Sequence, residues 1–318
     1  MKINKYRDFA GTTPMGTELS ILRYEMDSEK PGQHIYIQSG IHGGEITQWI
    51  IHELFLFIKK NLLQGKVTLV PCANPVSWTQ RAYYSTNGKF DFYMGKDWNR
   101  NFPGNSEGSM GERIAAVLFA NAKKADFALD LHTSRESIPF AIYSRPQYED
   151  ILKTIGIRYN QFLDMQKNPA YGNTMNACLD NAGVENLCIE CGSHDAYEPE
   201  NVREVMNGLK RLFAARGMVD SKLAEPAPQE IKTFAKTVKY TAPMGCLLRL
   251  AKPLGAQIKK GEDLFYCFDN NDLGSVVAVQ SKHDGVLFKA SPTHIYWSGD
   301  DVIQLLLDED TKLLTTAA

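Results

Sequence analysis

The hydrophobic pattern changes from an alternating to a helical period near residue 46. Residues 34–39 (HIYIQS) alternate apolar and polar positions in the way that a strand does. From residue 46 to residue 63 the apolar positions recur at the spacing of a helix instead. Glycines lie between the two segments. The pattern therefore predicts a strand, a sharp turn and a helix.

The same alternation of strand and helix patterns continues to about residue 216. Residues 1–30 resemble an antiparallel segment that precedes the alternating strands and helices. Further strands are expected at 18–26, 67–73, 126–131, 140–143 and 187–190, and further helices at 112–124, 148–159, 174–181 and 199–216. Strands that alternate with helices predict an α/β fold, with a mostly parallel mixed sheet flanked by helices.

A proline-rich stretch at 223–229 (LAEPAPQ) ends this pattern. Beyond it, short apolar runs are separated by glycine turns, which is typical of an all-β module of roughly ninety residues. The sequence therefore predicts two domains, a catalytic one at 1–223 and a C-terminal β domain at 230–318.

Composition and charge narrow the function classes. The chain has 318 residues, of which 43% are hydrophobic and 23% charged, with a net charge of −2. These values are typical of a soluble globular protein, and they give no reason to expect nucleic acid as a partner. No 18-residue apolar run and no secretory signal are present, so no membrane partner is expected. The six cysteines show no disulfide framework, which favours a cytoplasmic location.

Two histidines and a glutamate suggest a metal site. His42 and Glu45 lie in the turn HGGE, at the end of the strand at 34–39, and His132 directly follows the strand at 126–131. In open α/β sheets, ligands bind at the carboxyl ends of the strands. Three protein ligands can hold zinc and leave a fourth position for water, as in catalytic sites. Taken singly, His42 could be a polar turn residue and His132 a hydrogen-bonded core histidine.

Two acidic residues accompany this predicted site. Glu190 is a lone carboxylate in the apolar strand at 187–190, where burial is costly without a reason. A general base would be one reason, and a structural ion pair with an Arg or Lys would be another. Asp130 precedes His132 by two residues and could orient its imidazole.

A long irregular stretch at 74–105 carries a third group of polar residues. A loop of this length inside a domain is usually functional. Within DWNRNFPG (97–104), Arg100 presents a planar fork suited to a carboxylate, and Asn99 can donate a further hydrogen bond. Arg81 could stabilise an oxyanion. The alternative for each arginine is solvated surface charge.

The motifs HGGE, NP…R, DWNRNFPG, DLHTS and IECG occur in this order between residues 39 and 192. Together they resemble the succinylglutamate desuccinylase/aspartoacylase family, a branch of the zinc carboxypeptidase fold. The resemblance implies one Zn²⁺ per chain, held by His42, Glu45 and His132. It also implies hydrolysis of an N-acyl amino acid with an acetyl- or succinyl-type acyl group.

The resemblance implies roles for the other residues as well. Glu190 would act as general base and then as general acid. Arg81 would polarise the scissile carbonyl, and Asn99 with Arg100 would hold the α-carboxylate of the substrate. The short interval between Glu45 and His132 favours the deacylase branch.

Some positions depart from the family pattern or match no motif. Arg135 stands where the aspartate-specific enzymes have uncharged residues, and it could meet an acidic group of the substrate or pair with Glu136. His294 and Tyr296 lie in the predicted C-terminal β domain at 230–318, called the tail below. They could contact the substrate or belong to an ordinary packed strand.

The tail also resembles the biotinyl/lipoyl barrel-sandwich fold at 253–264 and 283–286. Neither Lys282 nor Lys289 has the Met or Asp neighbours of a modified lysine, so a covalent carrier is not expected. A wall that narrows the entrance of the active site fits better. The apolar tail strands could form a homo-oligomer interface or pack on the catalytic domain.

Two other functions are consistent with the same zinc ligands. One is a zinc carboxypeptidase or a peptidoglycan-peptide amidase, which would need an open groove for long peptides. The other is a non-catalytic, metal-dependent binding protein for small acids. Glu190 and Arg81 argue against the binding protein, because pure binding needs neither residue.

Overall fold

The computed structural model describes residues 1–83, 85–165, 167–269, 271–291 and 295–316. Up to residue 193 the strands are β1 (Lys2–Thr12), β2 (Glu18–Asp27), β3 (His34–Ser39), β4 (Lys66–Val70), β5 (Arg81–Ala82), β6 (Ser85–Thr86), β7 (Phe90–Asp91), β8 (Lys96–Asp97), β9 (Phe127–Ser134), β10 (Glu136–Ser137), β11 (Phe140–Tyr143), β12 (Tyr159–Phe162) and β13 (Glu185–Ser193). The α-helices are α1 (Gln48–Asn61), α2 (Met110–Ala122), α3 (Glu149–Ile155), α4 (Met175–Asn181) and α5 (Pro199–Ala215).

The rest of the described chain consists mainly of strands. They are β14 (Glu230–Phe234), β15 (Val238–Thr241), β16 (Cys246–Leu250), β17 (Gln257–Ile258), β18 (Asp263–Asp269), β19 (Asp272–Gln280), β20 (Gly285–Ala290), β21 (Ile295–Tyr296), β22 (Asp301–Leu307) and β23 (Thr311–Thr315). One-turn 3₁₀ helices lie at Ser77–Thr79, Trp98–Arg100, Pro146–Tyr148, Pro169–Tyr171 and Ser221–Leu223.

A ten-stranded sheet forms the centre of the molecule, in the order β1-β2-β4-β3-β9-β13-β11-β12-β14-β23. The four neighbouring strands β4, β3, β9 and β13 run parallel, while β1, β2, β11 and β23 introduce antiparallel pairs. The fold is therefore mixed α/β around one large sheet, as the strand and helix patterns predict.

Helices cover both faces of this sheet. Successive residues of β3 point to opposite faces, so Ile35 and Ile37 pack in one core and Tyr36 packs in the other. The first core takes apolar side chains from α1, α3 and α5, and the second takes them from α2 and α4. Among the described residues, no helix combines the length and apolar character needed to cross a bilayer.

The tail strands are divided between the large sheet and two smaller ones. β14 and β23 pair with each other, and β14 joins the large sheet beside β12. The smaller sheets have the orders β10-β20-β22-β15, with β17 beside β20, and β19-β18-β16-β21. Strand β10 precedes the proline-rich stretch at 223–229, so its pairing with β20 connects the tail to the earlier part of the chain. The division into domains at 1–223 and 230–318 stays a prediction.

Several element boundaries differ from the sequence pattern, and two of them bear on the argument. The predicted helix at 148–159 ends at Ile155, because Gly156 adopts a left-handed conformation with φ of 66°, and Tyr159 begins β12 instead. The predicted strand at 126–131 continues to Ser134, so His132 lies inside β9 rather than after it.

Candidate active site

Three buried side chains form a cluster at one edge of the large sheet. Glu45 bridges two imidazoles, with its Oε1 2.8 Å from His42 Nδ1 and its Oε2 2.9 Å from His132 Nδ1. One ligand atom from each residue lies within 4.8 Å of the others. The structure thus brings together the three residues that the sequence predicts as metal ligands, and the cluster could hold a metal ion.

The glycines of the HGGE turn allow the close approach of neighbouring chain. Gly44 has φ of 85°, and a Cβ at this position would lie 2.0 Å from Thr86 Oγ1. A Cβ on Gly43 would lie 2.3 Å from the carbonyl oxygen of Ser77. A side chain at either position would clash with the irregular stretch that packs against the turn, so the path of the turn requires glycine.

A carboxylate holds the outer nitrogen of each imidazole. Asp97 Oδ1 lies 2.9 Å from His42 Nε2, and Asp130 Oδ2 lies 2.8 Å from His132 Nε2. If each Nε2 donates, each Nδ1 is left as a lone pair that faces Glu45, which is the tautomer that a metal ligand needs. The sequence pattern indicates this role for Asp130 but not for Asp97, which is 55 residues from its histidine.

A chain of buried hydrogen bonds supports Asp130 from behind. Gln38 Nε2 donates to Asp130 Oδ1 at 2.9 Å, and the Tyr36 hydroxyl donates to Gln38 Oε1, also at 2.9 Å. All three side chains are fully buried. Gln38 and Asp130 are register partners in the parallel strands β3 and β9. Both are polar residues inside apolar strands, and this was the available sequence signal.

The electrostatics of the cluster favour a cation. Burial acts to raise the pKa of Glu45, but His42 and His132 outweigh it and hold that pKa well below its ordinary value. Burial acts to lower the pKa of His132, yet Asp130 and Glu45 raise it well above its ordinary value. A metal ion would replace a proton held by His132. Two imidazoles and an ionised carboxylate are a donor set that suits zinc, so the residues fit this metal.

A cavity of about 620 Å³ opens on the cluster. Glu190 lines it and is the register partner of His132 in the parallel strands β13 and β9. Its Oε2 is buried and has no hydrogen-bond partner among the described residues. The structure records no ion pair for this carboxylate, so the alternative of a structural pair finds no support in the described part of the chain.

Asn99 and Arg100 also line the cavity. The Asn99 amide lies 3.3 Å from His132 Nε2 through Nδ2, and its Oδ1 accepts the backbone N–H of Met175 at 3.0 Å. Arg100 donates from Nη1 to the Asn99 carbonyl oxygen at 2.8 Å, and its guanidinium lies 5.0 Å from the ring centroid of Tyr171. Both side chains are therefore fixed in place at the cavity wall.

Arg81 is the predicted site residue that the structure does not bring to the cavity. It lies in the two-residue strand β5, is exposed, and pairs in register with Thr86. The neighbouring strand β6 is held near the HGGE turn, because Asp195 accepts hydrogen bonds from Ser85 and Thr86 and its own N–H donates to the carbonyl oxygen of Gly44. The role of Arg81 stays a prediction.

The cavity contains three further cationic residues to which the sequence pattern assigned no established role. They are Lys89, Arg135 and Lys289. No ion pair joins Arg135 to Glu136 in the described part of the chain. Of the tail candidates, Tyr296 is buried and its hydroxyl donates to the carbonyl oxygen of Ser291 at 3.3 Å, while His294 lies outside the described residues.

Cys188 and Cys191 are buried free thiols of β13. Burial raises the pKa of both thiols well above its ordinary value, with the charge of Glu190 acting in the same direction. Neither thiol belongs to the metal-ligand cluster. The spacing CxxC can indicate a redox or metal site, but here the two positions are those of buried strand cysteines.

Comparison with known proteins identifies relatives of the chain. The model of the succinylglutamate desuccinylase/aspartoacylase catalytic domain matches residues 31–216, more than half of the chain. A curated relative is the N-alpha-acetyl-L-2,4-diaminobutyric acid deacetylase of Halomonas elongata. It is 25% identical over 274 residues, which cover 80% of this chain and 77% of the relative.

Solved structures show the same fold over nearly the whole chain. A succinylglutamate desuccinylase/aspartoacylase family protein from Shewanella amazonensis SB2B superposes with a TM-score of 0.83 at 20% identity, covering 98% of this chain and 100% of the other. The ectoine utilization protein EutE (DoeB) from Ruegeria pomeroyi, in its product-bound form, gives a TM-score of 0.79 at 16% identity, with 96% and 94% covered.

Proposed function

This chain belongs to the succinylglutamate desuccinylase/aspartoacylase family, and we propose that it is a zinc-dependent amidohydrolase that removes a short acyl group from an N-acyl amino acid. The family includes deacylating hydrolases, such as the deacetylase from Halomonas elongata. One observation carries the proposal for this chain. The carboxylate of Glu190, whose Oε2 has no hydrogen-bond partner among the described residues, lines the same cavity as a His-Glu-His cluster that fits zinc.

His42, Glu45 and His132 would hold one zinc ion per chain. Bound zinc supplies Lewis acidity, which polarises a carbonyl group and lowers the pKa of water toward ~7. The hydrogen bonds from the two imidazoles to Asp97 and Asp130 keep the ligand atoms directed at one point.

Glu190 would move the proton. The free Oε2 would accept a proton from the attacking water as this water adds to the amide carbonyl carbon. The same carboxylic acid would then donate the proton to the amide nitrogen, and the C–N bond would break to give a carboxylate and an amine. A pure binding protein would not need a free carboxylate beside the metal ligands.

Arg100 and Asn99 would hold the α-carboxylate of the substrate. The guanidinium is anchored through Nη1 and by the Tyr171 ring, and it offers its remaining N–H groups to a carboxylate. Asn99 contacts both Arg100 and His132, so it would fix the position of the guanidinium relative to the imidazole. We also propose Arg81 as the contact for the carbonyl oxygen, which requires the exposed strand β5 to approach the cavity in the substrate complex.

The size of the cavity and its lining by a tail residue support a small substrate. We propose a zinc carboxypeptidase-like arrangement of the large sheet and a barrel-sandwich-like tail that covers the site. Strand β20 of the tail pairs with β10 and contributes a lining residue, and about 620 Å³ suits a small molecule. A wall formed by the tail would exclude the long peptides that a carboxypeptidase or peptidoglycan amidase must admit.

Release of primary amine from a panel of N-acetyl and N-succinyl amino acids tests the proposal. Short peptides are assayed alongside, with zinc-loaded and chelator-stripped protein in parallel. We expect metal-dependent cleavage of one or a few N-acyl amino acids and none of the peptides. Cleavage of peptides instead, or of nothing by a protein with one bound zinc, would overturn it.

A further inference from the structure

Lys289 brings a cation from the tail into the cavity. It lies on β20, where its register partner is Ser137 of β10, and its side chain is half-buried. Its Nζ lies 4.2 Å from the ring centroid of Phe140 and 5.4 Å from that of Phe288. The aromatic faces provide the ammonium with some attraction, but no ion pair with a described residue compensates for its lost hydration.

The four cationic side chains that line the cavity fall into two pairs. Lys89 and Arg100 both lie near Asp97, with Nζ at 3.3 Å and Nη1 at 3.8 Å from its Oδ2. For Arg135 and Lys289, by contrast, the described residues provide no ion pair. The first pair is partly neutralised by the protein, and the second pair presents its charge to the cavity.

The acidic groups of the cavity do not balance this charge. Two carboxylates line it, and Glu45 is already engaged by two imidazoles. Glu190 remains, and a bound Zn²⁺ would add two positive charges. The cationic side chains that line the cavity therefore outnumber its carboxylates, and the α-carboxylate of a substrate at Arg100 would leave Arg135 and Lys289 without a counter-charge among the described residues.

Resting on the proposed function, we propose that Lys289, together with Arg135, binds a second carboxylate of the N-acyl amino acid. This carboxylate belongs either to the acyl group or to the amino-acid side chain. Lys289 is then a specificity-determining residue that the tail supplies to the active site. The half-buried position strengthens a charge-assisted contact, because the low local dielectric screens it weakly.

This assignment separates the chain from its curated relative. The relative from Halomonas elongata is named for an N-acetylated diaminobutyric acid, whose side chain carries an amine. A protonated amine beside Lys289 and Arg135 would meet like charges, which is an effective way to reject a substrate. A substrate with two carboxylates would be attracted instead.

Four probes test the charge preference of the zinc-loaded full chain. N-acetyl-L-alanine has one carboxylate, N-acetyl-L-glutamate has a second in the side chain, N-succinyl-L-alanine has a second in the acyl group, and N-α-acetyl-L-2,4-diaminobutyrate has an amine. We expect kcat/KM to be highest for one of the two dicarboxylates and lowest for the amine. The dicarboxylate that is preferred identifies where the second carboxylate lies.

Lys289→Met keeps the length of the side chain and removes its charge. We expect the ratio of kcat/KM for the preferred dicarboxylate over N-acetyl-L-alanine to fall by about 10- to 100-fold. Lys232→Met is the matched control, because Lys232 is also half-buried and lies 6.0 Å from the Tyr159 ring centroid, outside the cavity. The control should keep the wild-type ratio. A wild-type ratio in Lys289→Met would overturn the inference.

Two further measurements keep the test decisive. If Lys289→Met does not fold, Arg135→Gln replaces it, since Arg135 is exposed, and its ratio of kcat/KM values should fall in the same direction.

The second measurement is calorimetric binding of both dicarboxylates to Glu190→Gln, with and without the Lys289 change, which needs no turnover. Wild-type protein that is inactive on all four probes would refute the proposed function. Even then, weaker binding of the dicarboxylates after the Lys289→Met change would support the carboxylate site. Unchanged binding would overturn the inference about Lys289.

Discussion

Two walls of the cavity treat their charged groups in opposite ways. On the wall formed by the HGGE turn and β9, Glu45 joins the two inner imidazole nitrogens, and Asp97 and Asp130 hold the outer ones. On the wall formed by β13 and the tail, Glu190 and Lys289 have no ion pair with any described residue. The first, paired wall has its charges matched within the protein, whereas we propose that the substrate supplies the counter-charge for the second, unpaired wall.

This difference shows how the cost of burying charged side chains is offset in each wall. Asp97 and Asp130 fix the orientation of the two imidazoles, so we expect the metal ligands to need little rearrangement when a metal ion binds. On the unpaired wall, Lys289 has no ion pair with a described residue, so we expect its ammonium to be unfavourable in the free protein and favourable in a complex with a carboxylate. Charged groups in a cavity that have no ion pair with a described residue are candidates for functional groups.

The largest expected effect breaks the paired wall. His42→Ala removes one of three ligands, so we expect bound zinc to fall from one per chain to near zero and hydrolysis to fall to background. Metal content and kcat are measured on the same sample. His52→Ala is the control, because His52 is exposed on α1 and lies outside the cluster. Full activity in a zinc-free His42→Ala protein would contradict the metal assignment.

The next effect concerns the unpaired wall. Glu190→Gln keeps the shape of the side chain and removes its basicity, so kcat should fall by about 10²- to 10⁴-fold while zinc remains bound. Glu185→Gln, at the opposite end of β13, serves as the control and should retain its kcat. If Glu190→Gln loses its metal as well, the carboxylate is a ligand or a structural group rather than the base.

A smaller effect probes the support behind the paired wall. Asp130 accepts from Gln38 Nε2 and lies against His132 Nε2, so both oxygens are in use. In Asp130→Asn the new amide N–H₂ must face one of these N–H groups, and we expect zinc affinity or activity to fall about 10- to 100-fold. Zinc affinity is measured by competition with a chelator.

Asp126→Asn is the control for this change. Asp126 directly precedes β9 and accepts a single backbone N–H, from His34 at 2.8 Å, which an amide oxygen can also accept. Its zinc affinity should equal that of the wild type. Equal affinity in Asp130→Asn would show that the tautomer of His132 does not depend on this carboxylate.

The paired wall could be predicted from the sequence largely because short-range patterns encode it. The strand at 34–39 is found at the predicted residues, and the helix that follows begins at Gln48. His42 and Glu45 share one turn, and parallel strands carry His132 to the same edge. Asp97 escaped assignment as a partner of His42, because it lies in an irregular stretch whose path no periodicity describes.

The unpaired wall could be predicted only in part. Glu190 stands out as a carboxylate in an apolar strand, but Lys289 reaches the cavity through the pairing of β10 with β20. Roughly 150 residues separate these two strands in the sequence, and register between such distant strands depends on the whole fold. Arg81 illustrates the same limit, since its motif position predicted a role while the exposed strand β5 lies outside the cavity lining.

The smallest effect asks whether the unpaired wall destabilises the free protein. Burial lowers the pKa of Lys289 below the ordinary lysine value of 10.5, with Glu190 opposing this shift, so the folded state disfavours the ammonium. Lys289→Met should therefore raise Tm at pH 7, by roughly 2 °C, while it weakens the preference for dicarboxylates.

The pH dependence gives the sign of this effect a separate check. The penalty is fully present while Lys289 is charged in both states, and it disappears as the pH rises through the folded pKa toward 10.5. The gain in Tm of Lys289→Met over the wild type should thus shrink as the pH rises toward 10.5. A lower Tm at pH 7 would mean that the aromatic faces of Phe140 and Phe288 stabilise the ammonium in the free protein, and the contrast between the two walls would then lie in binding alone.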